Sequence, residues 1–215
     1  MNNNQIKYYS ERAKEYESIY EKLERQRDIP KLINYLQKHF INKDIIEIAC
    51  GTGYWTQFIS KTANYILATD INETVMDIAR SKEYEKENVE FQLADVYNLP
   101  DKLGNFEAGF GGFVWSHIPK QRLTVFLNKF LSVISPYGLV IFSDNNFVEG
   151  SSTPIYKTDE SGNIYQKRKL INGSEYSIIK NFPSEEELLS LIKPVGTNIE
   201  ITSFVYYWGV KFNKY

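Results

Sequence analysis

Residues 44–70 constrain the fold of this chain more than any other stretch. Asp44-Ile45-Ile46-Glu47-Ile48-Ala49 is an apolar run broken by Cys50-Gly51-Thr52-Gly53, and a second apolar run, Tyr65–Asp70, closes on an acid. Runs of this kind on either side of a short helical segment describe adjacent parallel strands. A Gly-x-Gly turn leading into a helix leaves free N–H groups and close backbone approach, the layout of a nucleoside site. The same alternation continues. Strands are expected at Ile45–Ala49, Tyr65–Asp70, Val89–Leu93, Glu107–Gly111 and Gly138–Ser143, with helices at Trp55–Thr62, Glu73–Ser81 and Pro119–Ile134. Alternating elements imply right-handed crossovers and a mostly parallel, doubly wound α/β sheet covered on both faces.

The flanks read differently. Tyr8, Tyr9, Ala13, Tyr16, Ile19, Tyr20 and Leu23 recur at steps of three and four, which predicts one amphipathic helix over 7–25. Asp28-Ile29-Pro30 opens a second, near Lys31–Phe40. Beyond Ser143 no helical period is visible until Pro183. Instead Ile164–Ile171 and Ser174–Lys180 flank Asn172-Gly173, a two-residue hairpin signal, with a further turn at 159–163. Ser184 and Glu187 form a capping box for a helix to about Lys193, and Asn198–Asn213 closes the chain as an antiparallel pair. The expected organisation is a single domain over 1–215, with an N-terminal helical cap at 1–40 and a β-hairpin excursion at 147–182 after the fifth strand.

Composition narrows the function classes. A formal net charge of −2 among 215 residues argues against a broad nucleic-acid surface, and Lys167-Arg168-Lys169 reads as a solvated face. One cysteine and two histidines leave no internal disulfide and no Cys/His metal cluster, so no metal is expected. No apolar run approaches the roughly 20 residues that span a bilayer, and the Asn-rich start lacks a signal-peptide layout. A cytoplasmic protein without membrane partners, monomer or homodimer, is the simplest expectation.

With Glu47-x-Ala49-x-Gly51-x-Gly53 and acids at Asp70 and Asp95, the chain resembles the class I S-adenosylmethionine (SAM) methyltransferases of the small-molecule type, over roughly residues 8–143. Ala49 stands where that family usually has its first glycine. The resemblance implies SAM as cofactor and S-adenosylhomocysteine (SAH) as product. It places Glu47 toward the methionine ammonium, Ala49, Gly51 and Gly53 along the turn, Asp70 with Ile71 at the ribose diol, and Asp95 with Val96 at the adenine. Gly111 falls at the methionine end and Trp55 beside the ligand. Bland readings stand next to these: Glu47 capping loop amides, Asp70 capping a helix (though Asn72 is better placed), Asp95 opening a turn, Trp55 packing a helix.

Phe106-Glu107-Ala108-Gly109-Phe110-Gly111-Gly112-Phe113-Val114-Trp115-Ser116-His117-Ile118 resembles the fourth strand and loop of such enzymes, and Tyr8-Tyr9-Ser10-Glu11-Arg12-Ala13-Lys14-Glu15-Tyr16 their opening helix. His117, with a pKa ordinarily near working pH, is a candidate general base, or else a packing residue at a helix start. Tyr9 is a second catalytic and cofactor candidate, and Tyr9, Phe110 and Phe113 are candidates to face a sulfonium. Tyr16, Phe113, His117, Asn145, Tyr156 and Tyr165 are the candidate acceptor contacts. The expected reaction is in-line methyl transfer to an N or O atom of a small polar metabolite. The alternatives are a protein or RNA methyltransferase and a non-catalytic SAM sensor.

Overall fold

The computed structural model describes residues 3–100 and 103–215; the first two residues of the expected cap lie outside them. Seven strands form the main sheet in the order β3-β2-β1-β4-β5-β10-β9. They are β1 (Asp44–Ile48), β2 (Tyr65–Asp70), β3 (Val89–Leu93), β4 (Phe106–Gly112), β5 (Ile134–Asn145), β9 (Gly196–Ser203) and β10 (Tyr207–Lys214). Strands β1 to β5 run parallel, and β10 enters antiparallel between β5 and β9. This is the Rossmann-like sheet expected, with its antiparallel C-terminal pair.

Strand periodicity divides the core. Ile45 faces a layer with Leu32, Leu36, Phe40, Ile59 and Phe110, beneath helices α2 (Ile29–His39) and α3 (Thr56–Ile59). Ile46 and Ile48 face the other layer with Phe126, Phe130, Phe142, Ile192 and Phe212, beneath α5 (Leu123–Leu131) and α6 (Glu185–Ile192). Helix α4 (Glu73–Arg80) follows β2 and starts where Asn72 Oδ1 accepts the Thr74 N–H at 3.1 Å. The capping box of α6 is present with both bonds, Ser184 to Glu187 and back. Ile134 belongs to β5 and not to the preceding helix, whose regular part ends at Leu131.

The N-terminal segment is not one helix. Helix α1 (Asn3–Arg12) gives way to a 3₁₀ helix over Ala13–Tyr20 and a short turn at Leu23–Arg25. The cause is tertiary: this stretch is pulled against the turn after β1. There Tyr20 stacks on Tyr54 at 3.8 Å, and Glu17 accepts hydrogen bonds from the Thr52 hydroxyl and the Lys82 ammonium. The excursion after β5 is a second sheet of three antiparallel strands, β6 (Lys157–Thr158), β7 (Ile164–Lys169) and β8 (Glu175–Ile179). No described helix is long and apolar enough to cross a membrane.

The glycines of β4 serve packing. A Cβ on Gly111 would stand 2.5 Å from the Phe142 ring, and one on Gly109 would stand 2.6 Å from Phe130. On its Cβ side Gly111 is therefore a core contact, because its missing side chain points into the α5 layer. The expected result for Gly111→Ala is a loss of about 1–3 kcal/mol by urea unfolding, the usual range for overpacking; unchanged stability would show that Phe142 can swing clear.

Candidate functional site

Parallel strands deliver their carboxyl ends to one edge of the sheet, and there the turn after β1 is unusually tight. Ala49, Gly51 and Gly53 all have left-handed φ, at 52°, 57° and 73°. Glycine adopts this region without penalty, whereas alanine is strained there. Asp70, at the end of β2, fixes the turn. Its Oδ2 accepts the Gly51 N–H at 2.9 Å, and its Oδ1 accepts the Asn72 N–H at 2.9 Å. Each carboxylate oxygen keeps accepting capacity beyond those bonds, while burial raises the pKa.

A cleft of about 510 Å³ opens over the turn, walled by Tyr9, Ala49, Gly51, Asp70, Ile71 and Gly112, with Tyr16, Phe113 and His117 at its far side. A second chamber of about 390 Å³ takes Ala94, Asp95, Val96 and Tyr97 and shares Ala49, Asp70, Ile71 and Val114 with the first. Asp70 and Ile71 thus stand at the hinge of a two-chambered groove. Asp95 lines the second chamber and also opens a turn, accepting the Tyr97 N–H at 3.0 Å and the Asn98 amide at 2.8 Å. Phe113 is a further strained wall residue, with φ of 59°. Such outliers persist where surrounding structure enforces them, commonly at sites of function.

Several candidates stand elsewhere. Trp55 is buried, stacks on Phe113 and donates from Nε1 to the Tyr20 hydroxyl at 3.0 Å, so it packs the core. Phe110 is fully buried and Gly53 packs against Ala79 and Tyr84. The wall glycine on β4 is Gly112, one residue beyond Gly111. Glu47 lies beneath the turn, where the Thr56 hydroxyl donates to its Oε2 at 2.7 Å. Burial pushes its pKa up to about 8, so it is protonated at neutral pH.

His117 does not titrate near working pH. Burial, with Lys180 adding to it, pushes its pKa down to about 3. Its tautomer follows from its partners: Nδ1 lies 2.7 Å from the Ile179 carbonyl, which only accepts, so Nδ1 carries the proton. Nε2 is then an acceptor for the Tyr9 hydroxyl at 2.7 Å. Burial raises the Tyr9 pKa well above its ordinary value, which keeps the phenol protonated. The pair is neutral and oriented, and neither member is a strong base.

Among the acceptor candidates, Asn145 lines cavities beside the cleft. Tyr156 and Tyr165 do not reach it. Strand alternation turns Tyr165 and Lys167 outward and Gln166 and Arg168 inward. Tyr165 binds Asp159 and Tyr156 lies under Lys167 on that outer surface. Arg168, read from sequence as part of a solvated face, is instead half-buried and turned toward the inner face of the small sheet. Only the parity of β7 about its Asn172-Gly173 turn hinted at this.

Comparison with known proteins agrees with the geometry. A methyltransferase-domain family matches residues 45–138. Demethylmenaquinone methyltransferase of Staphylococcus aureus (strain JH9) is 25% identical over 177 residues, covering 74% of this chain and 70% of that protein. The solved DhpI–SAH complex superposes with a TM-score of 0.80 at 26% identity, over 98% of this chain and 95% of that one. The DhpI–SAM–HEP complex also gives 0.80, at 24% identity and 99% of both chains.

Two outcomes are expected at the turn. Ala49→Gly should raise stability by about 0.5–1 kcal/mol, since relief of left-handed strain exceeds the added unfolded-state entropy; a lower denaturation midpoint would show that the alanine methyl packs usefully. Glu47 has a folded pKa near 8 against an ordinary 4.5, so its contribution to stability is present below pH 4.5 and lost as pH rises toward 8. Glu47→Gln should therefore gain on the wild type progressively across that window in urea melts, and parallel profiles would show that the carboxyl is ionised throughout.

Proposed function

Taking as premise that this chain is a class I SAM-dependent methyltransferase by motif and by fold, we propose that it methylates an N or O atom of a small polar metabolite. The observation that carries the reading is the groove hinged on Asp70, continuous at one end with a polar cavity. Its residues fit SAM. A left-handed turn with open space over Gly51 admits close approach, an acid faces both chambers, and Asp95 and Val96 line the inner one. In this reading the Ala49–Gly51 backbone follows the methionine portion, Asp70 takes the ribose diol, and Asp95 and Val96 take the adenine. The protonated Glu47 beneath the turn ionises when an ammonium comes near, because an opposite charge favours the carboxylate. The DhpI complexes with SAH and with SAM and HEP support the same cofactor.

When bound, SAM supplies a sulfonium methyl: an acceptor lone pair bonds to its carbon, the carbon–sulfur pair stays on sulfur to leave SAH, and any acceptor proton passes to solvent. The protein's part is alignment and exclusion of water. Tyr9, held by neutral His117, presents its oxygen to the cleft to orient the acceptor, and the rings of Tyr9, Tyr16 and Phe113 line the same wall. Aromatic faces favour a cation by about 0.5–2 kcal/mol each. Alignment supplies up to about 7–11 kcal/mol without a base, which suits a site whose histidine stays neutral.

Calorimetric titration with SAM, SAH and NAD tests the cofactor: micromolar binding of the first two and none of the third is expected. Asp70→Ala should weaken SAM by about 1.5–3 kcal/mol, the scale of hydrogen bonds to a charged group; unchanged affinity would remove Asp70 from the site. SAM binding without SAH release against any metabolite pool would favour a sensor over an enzyme.

A further inference from the structure

Beside the cleft, the N-terminal segment, the end of β5 and the inner face of the small sheet line a partly open cavity. Its lining includes Arg12, Lys22, Arg25, Arg168 and Lys180. In a chain of net charge −2, this is a local concentration of cations that composition does not foretell. Two of the five have acidic partners. Lys180 pairs with Asp144 at 2.8 Å, and Lys22 stands 4.0 Å from Glu24. Among the described residues no carboxylate lies in ion-pair reach of Arg12, Arg25 or Arg168.

Arg25 is 5% exposed, and its Nε and Nη1 have no hydrogen-bond partner. Its guanidinium lies 5.8 Å from the ring centres of Tyr206 and Tyr207. Arg168 donates to Thr153 Oγ1 and Gln166 Oε1, both at 2.6 Å, while its Nε is also unpartnered. Burial and the neighbouring charges of Arg12 and Arg25 lower the Arg168 pKa, the signature of like charges held together. Burying unpaired guanidiniums costs stability unless a ligand supplies the counter-charge. Planar guanidinium forks from three separate elements, converging on one cavity, match an oxyanion with several acceptor oxygens.

The cavity communicates with the cleft. A bridging pocket is lined by Arg12, Asn145, Arg168 and Lys180 on one side and by Tyr9, Phe113 and His117 on the other, and the latter three also wall the cleft. We propose that this cationic cavity is the anion subsite of the acceptor site, and that the methyl acceptor carries a compact, multiply charged oxyanion of the phosphoryl type. The inference rests on the methyltransferase reading. Three uncompensated positive charges favour a dianion over a monocarboxylate, and the anion's seat beside Tyr9 and His117 sets the acceptor's reach toward the cleft.

The test uses the full chain, SAH and inorganic phosphate. In wild type, phosphate should raise the melting temperature and bind by calorimetry in the presence of SAH, more tightly than acetate. Arg168→Gln and Arg25→Met should each weaken phosphate by at least about tenfold, as expected for loss of a charge-assisted hydrogen bond, with SAH affinity unchanged. Three-carbon alcohols bearing a phosphate monoester, a carboxylate or no charge then separate free phosphate from a substrate group: SAH release from SAM should follow the phosphate ester. If Arg25→Met fails to fold, the half-buried Arg168→Gln and the wild-type titrations still decide. Firm SAH binding with no phosphate effect, or phosphate binding unaltered in Arg168→Gln, would overturn the anion subsite and leave the methyltransferase reading standing. Absence of SAH binding would overturn that reading itself.

Discussion

One buried ion pair ties the small sheet to the main one. Lys180, just after β8, is 6% exposed and Asp144, near the end of β5, is fully buried, with 2.8 Å between Nζ and Oδ1. Two such charges leave water at a cost of several kcal/mol each, which their attraction offsets only when the remaining valences are filled. Here they are. Lys180 also donates to Ser116 Oγ, and Asp144 accepts the Ser116 and Asn145 N–H groups. Residues on either side extend the joint, with Ile179 O accepting from His117 and Asn181 bonding the Ser116 and Ile118 carbonyls. The loop after β4, the end of β5 and the small sheet are thereby fixed to one another. The wall that Tyr9 and His117 share depends on this joint.

The same joint explains the electrostatics of the site. By closing the region from water it holds His117 neutral, Tyr9 protonated and Arg168 under pressure from its neighbours. Glu47, beneath the turn, is also uncharged at neutral pH. The free protein therefore keeps His117, Tyr9 and Glu47 uncharged, leaves Asp70 as the acid at the hinge of the groove, and gathers positive charge in the side cavity. This division suits the ligands proposed above: a cationic cofactor in a groove that carries an acid, and an anion in the cavity. It also places the catalytic burden on alignment, since the one histidine near the cleft lacks the basicity for proton abstraction.

Much of this was legible in the sequence because it is local. Strand and helix periods located β2 and β3 to the residue, Asn172-Gly173 marked the β7–β8 turn, and Ser184 with Glu187 marked the start of α6. Asp70, Asp95, Ala49 and Gly51, singled out by spacing and by family resemblance, all line the groove, because the carboxyl ends of parallel strands share one edge of the sheet. Other assignments failed for equally physical reasons. Gly111 lies one residue from the wall position Gly112, and a strand reverses side-chain direction over that distance, while Trp55, three residues past the wall residue Thr52, packs on Phe113. Tyr156 and Tyr165 were on the right sheet but its wrong face. The 7–25 helix broke at Arg12 because contacts from Thr52 and Lys82, remote in sequence, outweighed a continuous apolar stripe.

The sequence by itself determined the order of elements, the parallel sheet and the acids at successive strand ends, since these follow from backbone periodicity and turn chemistry between near neighbours. Only the tertiary structure decided which groups carry charge and which arginines meet. Arg12, Arg25 and Arg168 are separated by up to 156 residues, and their convergence depends on how the small sheet docks on β5. A pKa likewise depends on burial and on partners drawn from distant segments, so no pattern within His117's own loop foretold its neutrality.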